Sequence, residues 1–367
     1  MKTVTQIIGG AQALLDISFD LQRCFEEYLT DEYKTFLHIL RVTEEYTSDL
    51  VRPYAGTGRP PYPYISFFRG ELAKRYFDIE KTSSLIIRLK NDPNLRMLCA
   101  FKKVPDKSVF SRALAHLAEI KIMDKVQQAL VRLAYKEGMF VQHVCRDSTA
   151  IPAREKVPSG SREKDPKPVR RRRRPPKNAV KTPKPPTVLE IQRTDGAEAS
   201  IHALGKGCSW GLKKNSQGHI DVWKGYKLHL DVSDSGFPLT ACVTSANVHD
   251  SQLAIPMEKL TEQKVQFGYS VMDAGYDAKT IHDFIVSRGR VPIIDPNKRG
   301  DEKRPPLDPA KRERYKIRTT VERSNSDLKD SYIPRAIYVK GHTKVSFVLM
   351  SAVVCLAALK YLQYFLC

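Results

Sequence analysis

The chain has 367 residues, enough for two domains and a sizeable core. Its 61 lysines and arginines against 41 acids give a formal net charge of +20, which points to a polyanionic partner, nucleic acid before a membrane surface. Seven cysteines without Cys-x-x-Cys spacing argue against a disulfide framework or a zinc site and suit a reducing cytoplasm.

Met1 to Gly10 lacks the basic start and apolar core of a secretory signal. Residues 1 to about 55 read as helical, because apolar residues from Leu14 to Leu40 recur mostly at three- and four-residue steps. Gly56 to Pro63, rich in proline and glycine, reads as a linker or turn. Several helices follow as far as Tyr135. Thr82, Ser83 or Ser84 can cap one, and Asp92-Pro93 breaks it. Pro105-Asp106 opens another, with Val109, Phe110, Leu114 and Leu117 on its apolar face. Short helices with sharp breaks fit either a helix-turn-helix unit or an ordinary bundle. In the first case Lys107, Ser108, Ser111 and Arg112 sit near the start of a recognition helix.

Phe140 to Thr149 reads as a strand ending in Asp147, a position that suits a catalytic sheet or a simple turn. Pro152 to about Thr187 differs in composition. It holds thirteen lysines or arginines against three acids, includes the run Arg170, Arg171, Arg172, Arg173 and Arg174, and has almost no large apolar residues. Such a segment cannot bury enough surface to order itself, and it reads as a basic, disordered insertion that binds phosphates without sequence preference. A nuclear-localisation signal is the other reading of its basic run. Val188 to Gly218 reads as a loop returning to the fold. Gly225 to Val232 alternates as a half-buried strand, and Leu239 to Thr244 completes a hairpin. His249 stands before a helix that Asp250 or Ser251 can cap and Pro256 breaks early. Tyr269 to Met272 is a short strand ending in Asp273, after which Gly275 permits a sharp turn and Asp277 caps a helix closed by Gly289. Val291 to Ile294 is a fifth strand. The last apolar run, Val345 to Leu359, is interrupted by serine and falls short of the about 20 residues that span a bilayer, so it reads as part of a buried helix from about His342 to Phe365.

Between the fifth strand and that helix, Arg314 to Lys329 contains neither proline nor glycine and can run as one helix. At about 100° per residue, Arg318, Glu322 and Lys329 fall at about 300°, 340° and 320° from Tyr315, a stripe roughly 60° wide. Ile317, Val321 and Leu328 form a separate apolar stripe facing the core. The polar stripe reads either as a solvated face with ion pairs or as a metal and phosphate site.

The spacing Tyr315-x2-Arg318-x3-Glu322-x6-Lys329 resembles the signature of bacterial insertion-sequence transposases of the DDE type. The resemblance implies that Glu322 is the third catalytic carboxylate and that two aspartates stand upstream on strands, which Asp147 and Asp273 satisfy. Residues 60 to 135 are similar to the helical segment ahead of many such transposases, and a His-Asp-Ser at the place of His249 is frequent in the family. The order of elements after residue 140 is that of a ribonuclease H-like domain. The expected fold is thus α/β, with a ribonuclease H-like catalytic domain (a mixed five-stranded sheet with helices) over 136–365, preceded by an all-α, DNA-binding N-terminal domain over 1–135 and interrupted by the insertion at 152–187.

Three close carboxylates repel by about 4 kcal/mol per pair at an effective dielectric near 20. Oxygen ligands alone select two Mg²⁺ or Mn²⁺ ions. The implied activity is cleavage at the terminal inverted repeats of the element and strand transfer into target DNA, by a homodimer on double-stranded DNA, in the cytoplasm and with no membrane partner. Arg318 and Lys329 would hold a phosphate beside the scissile one, and Tyr315 would bond the backbone or stack on a base. His249 would steer a phosphate, brace an aspartate or cap its helix. The alternatives are a catalytically silent, domesticated DNA-binding protein and a nuclease of the same fold without strand transfer.

Overall fold

The computed structural model describes residues 28–47, 50, 61–157, 185–214, 219–297 and 306–365. Expectations for residues 1–27, for most of the 56–63 linker and for Arg170 to Arg174 lie outside them. The first described helices are α1 (Asp31–Glu44), α2 (Tyr64–Tyr76), α3 (Thr82–Asn91), α4 (Pro93–Leu98), α5 (Lys107–Glu119) and α6 (Ile122–Lys136). Asp92 ends α3 and caps α4, accepting from the Leu95 amide at 2.9 Å. Phe110, Leu114 and Leu117 of α5 are buried, as their spacing predicts.

After α6 come β1 (His143–Pro152), α7 (Val188–Thr194), α8 (Ala197–His202), β2 (Ser209–Lys214), β3 (Ile220–Val232) and β4 (Pro238–Ser245). They are followed by α9 (Ala254–Glu262), β5 (Tyr269–Met272), α10 (Lys279–Ser287), β6 (Val291–Ile294), α11 (Pro309–Tyr315), α12 (Thr319–Asp327) and α13 (His342–Phe365). Pro256 does not break α9. It sits in the first turn, where its missing N–H has no partner to lose.

Among the described residues the strands make one mixed sheet of six, not the expected five. β1 takes one edge of β3 over Gly225 to Val232, while β2 and then β4 take the other edge end to end. β1 pairs in parallel with β5, and β5 with β6. β2 escapes sequence reading because its apolar residues, Trp210 and Leu212, are exposed and one of its inner positions is Gly211, across which the Trp223 ring lies. From Leu228 to Val232 β3 is also buried on both faces rather than one. His229 and Asp231 are inaccessible, because α9 covers the face that the alternation assigns to water. At Gly225 (φ +155°) β3 passes so close to β1 that a Cβ would lie 2.1 Å from the Ile151 carbonyl oxygen.

α13 has the bounds that the sequence predicts, and its 24 residues, unlike the run Val345 to Leu359 alone, are long and apolar enough to cross a membrane. It is buried over 83% of its most apolar window, packed on β4 and on α1, α2, α5 and α6. One hydrophobic cluster therefore joins the leading helices to the sheet through Phe347, Met350, Val354 and Tyr361.

Candidate active site

Register alone brings two acids together. Cys145 of β1 pairs with Val271 of β5, and two residues further on each strand stand Asp147 and Asp273. Asp147 lies in the middle of β1 rather than at its end, opposite Leu230, because the strand continues through Thr149 to Pro152 against β3. Asp273 follows β5 directly and caps a one-turn 3-10 helix, Ala274–Tyr276, with Oδ1 accepting from the Gly275 amide at 2.9 Å. A Cβ on Gly275 would stand 2.9 Å from that oxygen, so a side chain here would push the Asp273 carboxylate aside, and Gly275 is not at a positive φ. Asp277 does not cap α10. Its carboxylate accepts from the Asn297 amide and lies 3.1 Å from His282 Nε2.

The third acid comes from the helix that crosses this edge. Arg314 to Lys329 is helical throughout but not one α-helix. It tightens to 3-10 at Lys316–Arg318 and loosens to a π turn at Leu328–Tyr332. Val321 and Leu328 are fully buried and Ile317 partly, as their stripe predicts. Glu322 and Arg318 pair at 2.6 Å, one turn apart on the exposed rim. The same guanidinium lies 3.8 Å from Asp147 Oδ1 and 3.9 Å from Asp273 Oδ2. One cation thus stands among all three acids. With Arg318 between them, no group of three acidic, histidine or cysteine side chains among the described residues is placed to share a metal ion directly.

The local electrostatics follow from this crowding. Burial pushes the Asp147 carboxyl up to about 6, Asp273 adds to the rise, and Arg318 and the Ser148 amide oppose it. Burial pushes the Tyr315 phenol up to about 12, with Arg318, Asp273 and Glu322 all close enough to act on it. Burial and then Lys213 lower the pKa of Lys329, while Asp147 raises it. The four signature residues therefore share one neighbourhood.

Three further residues shape the site. Arg146, inaccessible on the opposite face of β1, donates to both Asp231 oxygens at 2.7 Å and to the Ala254 carbonyl at 2.7 Å. Asn325 donates from Nδ2 to Asp147 Oδ2 at 3.2 Å. Lys213 of β2 acts electrostatically on both Asp147 and Lys329. Asn325 was accessible to helical spacing, being one turn beyond Glu322, whereas Lys213 depends on the unforeseen strand β2.

Lys107, Ser108, Ser111 and Arg112 are exposed on α5. Lys107 and Ser111 line a groove of about 440 Å³ together with Lys81, Lys340 and Lys344. His249 is exposed and does not reach the acids. Its Nδ1 lies 2.7 Å from the Ser251 hydroxyl and accepts from the Ser251 amide, capping the short helix Asp250–Leu253. Its neighbour Asp250 turns inward instead, to Lys227 Nζ at 2.8 Å.

Asp147 makes the fold pH-dependent. Its value is raised from the usual 3.8, so the folded chain favours the protonated form. That contribution is full below the unfolded value and is lost as pH rises through about 6. Asp147→Asn, which carries no charge at any pH, is expected to melt about 2–4 °C above the wild type at about pH 7.5 in EDTA. The gap should narrow below about pH 6 and close towards about pH 4. Equal melting temperatures at the higher pH would show that Asp147 ionises without penalty.

Two parallel interior strands and a crossing helix thus bring Asp147, Asp273 and Glu322 around one guanidinium. Residues 140–357 match the family model described as Transposase DDE domain, and residues 24–116 match Transposase domain (DUF772). The chain belongs to the DDE transposases of insertion sequences, enzymes that act on DNA. Divalent-metal-dependent cleavage and strand transfer are general to that family. No curated protein and no solved structure matches the chain.

Proposed function

We propose that Asp147, Asp273 and Glu322 are the catalytic acids of this transposase, in a ribonuclease H-like domain over 136–365 that follows a helical DNA-binding domain over 1–135. The observation that carries this is the single Arg318 guanidinium within 4 Å of an oxygen from each acid. The strand order β4-β3-β1-β5-β6, with β1 and β5 parallel, supports the ribonuclease H-like reading. The donors fit hard divalent cations, two Mg²⁺ or Mn²⁺, since all are carboxylate oxygens and no thiolate or imidazole stands among them. When bound, such ions activate an attacking oxygen and stabilise a leaving one at phosphorus.

The chain's own residues do the rest. The three acids hold the cations. Arg318 neutralises the acids in the DNA-free protein and exchanges them for a DNA phosphate in the complex, where a guanidinium binds two oxygens at once. Lys329 and Lys213 add point charges beside Asp147. Tyr315 keeps its proton at neutral pH, as an ordinary phenol does, and so donates to the DNA backbone or stacks on a base. Lys107, Ser108, Ser111 and Arg112 contact DNA from α5, helped by the lysines of the adjoining groove. The run Arg170 to Arg174 adds salt-sensitive attraction, and His249 approaches DNA only from the rim. Water cuts the terminal inverted repeats to free a 3′-hydroxyl, which then joins target DNA, with a homodimer pairing the two ends in the cytoplasm of the host.

The test is joining of a pre-cut oligonucleotide, taken from the inverted repeats that flank the coding region, to a plasmid in Mg²⁺. Joined product is expected. Cutting of intact ends without joining would make the protein a nuclease, and retention of DNA with neither reaction would make it a silent binding protein.

A further inference from the structure

We infer that Asn325 is an additional oxygen ligand of the cation site and the residue that positions Asp147. The inference rests on the reading of the triad given above. Asn325 is three residues beyond Glu322 on α12, which leaves it about 60° round the same face. It is 7% exposed. Its Nδ2 donates to Asp147 Oδ2 at 3.2 Å, while its Oδ1 is buried and has no hydrogen-bond partner.

The hydrogen bond sets the NH₂ end of the amide against Asp147 and leaves the carbonyl end without a partner. The carbonyl end is thereby fixed away from Asp147 with its lone pairs unused. A buried acceptor without a donor is disfavoured and calls for an explanation. The adjoining hydroxyls on the helix are already engaged, Ser324 Oγ with the Gly236 and Thr320 carbonyls and Ser326 Oγ with Asp330. A DNA phosphate offers no donor. A hard cation does satisfy an amide oxygen, and it is the species that the neighbouring acids are suited to hold. The amide hydrogen bond also leaves Asp147 Oδ1, the oxygen facing Arg318, free for the same ion.

Mn²⁺ titration of the full chain bound to a pre-cut end oligonucleotide, read by electron paramagnetic resonance against the oligonucleotide alone, tests this. Asn325→Leu is expected to weaken Mn²⁺ binding about 10–100-fold. Asn325→Asp keeps an oxygen and loses the amide donor, and it should bind Mn²⁺ within about threefold of the wild type. Unchanged affinity in the leucine variant overturns the inference. Equal weakening in both variants overturns the ligand role, because only the hydrogen bond to Asp147 would then matter. Asp147→Asn is the control. If it too leaves Mn²⁺ binding unchanged, the triad reading itself fails. If it abolishes binding while Asn325→Leu does not, only the role of Asn325 falls. Should the leucine variant not fold, Mn²⁺ bound to wild-type chain carrying ¹³Cγ-asparagine must show a carbon coupling by electron–nuclear double resonance, and its absence rejects ligation.

Discussion

Asp147→Asn, Asp273→Asn and Glu322→Gln are each expected to slow end cleavage by at least about 10³-fold, because each removes charge from a site whose work is electrostatic. DNA retention should stay within a few-fold of the wild type. Each substitution keeps side-chain shape and removes one negative charge, so none opposes a polyanion. The candidate DNA contacts on α5 and in the lysine-lined groove lie apart from the acids, and Arg318 and Lys329 remain in place. The cost to the fold is small at Glu322, whose pairing with Arg318 is a partly exposed one-turn contact worth about 0.3–0.5 kcal/mol. Loss of activity in Glu322→Gln therefore reports chemistry rather than unfolding. Gel-shift and cleavage assays on one DNA end suffice, and full cleavage by any of the three would remove that residue from the site.

How much of this could be read from the chain depended on the range of the interaction. Tyr315, Arg318, Glu322 and Lys329 stood out because helical spacing is local and their order matches a known signature. Asp273 was legible because a four-residue apolar strand ends at it. Asp147 was found but misplaced, since the apolar run stops at Cys145 while the hydrogen-bonded strand continues to Pro152. The changes in winding at Lys316–Arg318 and Leu328–Tyr332 left no mark, because the same residues tolerate α, 3-10 and π geometry. β2 was invisible for a different reason. Its apolar residues face outward, so burial imposes no pattern, and only pairing with Ile220 to Gly225 defines it. The buried polar face of β3 misled in the opposite direction. Alternation of Lys227, His229 and Asp231 with apolar residues reads as a wet face, yet Asp231 belongs to a charge cluster sealed under α9.

That cluster carries the second large effect. Arg146→Ala is expected to destabilise the protein by about 3–5 kcal/mol, the cost of breaking a buried ion pair from one side. Burial opposes the Arg146 charge, and Asp231 and Glu258 more than offset it, so its pKa is pushed up. The guanidinium holds Asp231 with two bonds and lies 3.3 Å from Glu258. Without it, Asp231 keeps only the Thr261 hydroxyl at 2.7 Å, and Glu258 keeps Ser270 and the Arg290 contact at 3.3 Å. Arg146→Met, which restores most of the volume, should recover little, because the acids remain unpaired. Arg146→Met with Asp231→Leu removes the principal pair together and should recover at least half of the loss, since an apolar replacement of a buried pair is often neutral. Urea denaturation of the three variants in EDTA separates packing from charge. A loss below about 1 kcal/mol in Arg146→Ala would mean that water reaches the cluster. Asp147 is the next residue on β1 and points to the other face, so the cluster holds the strand that carries it without touching it. Activity per folded molecule should therefore fall far less in the double variant than in Asp147→Asn, and an equal fall would make Arg146 part of the chemistry rather than its support.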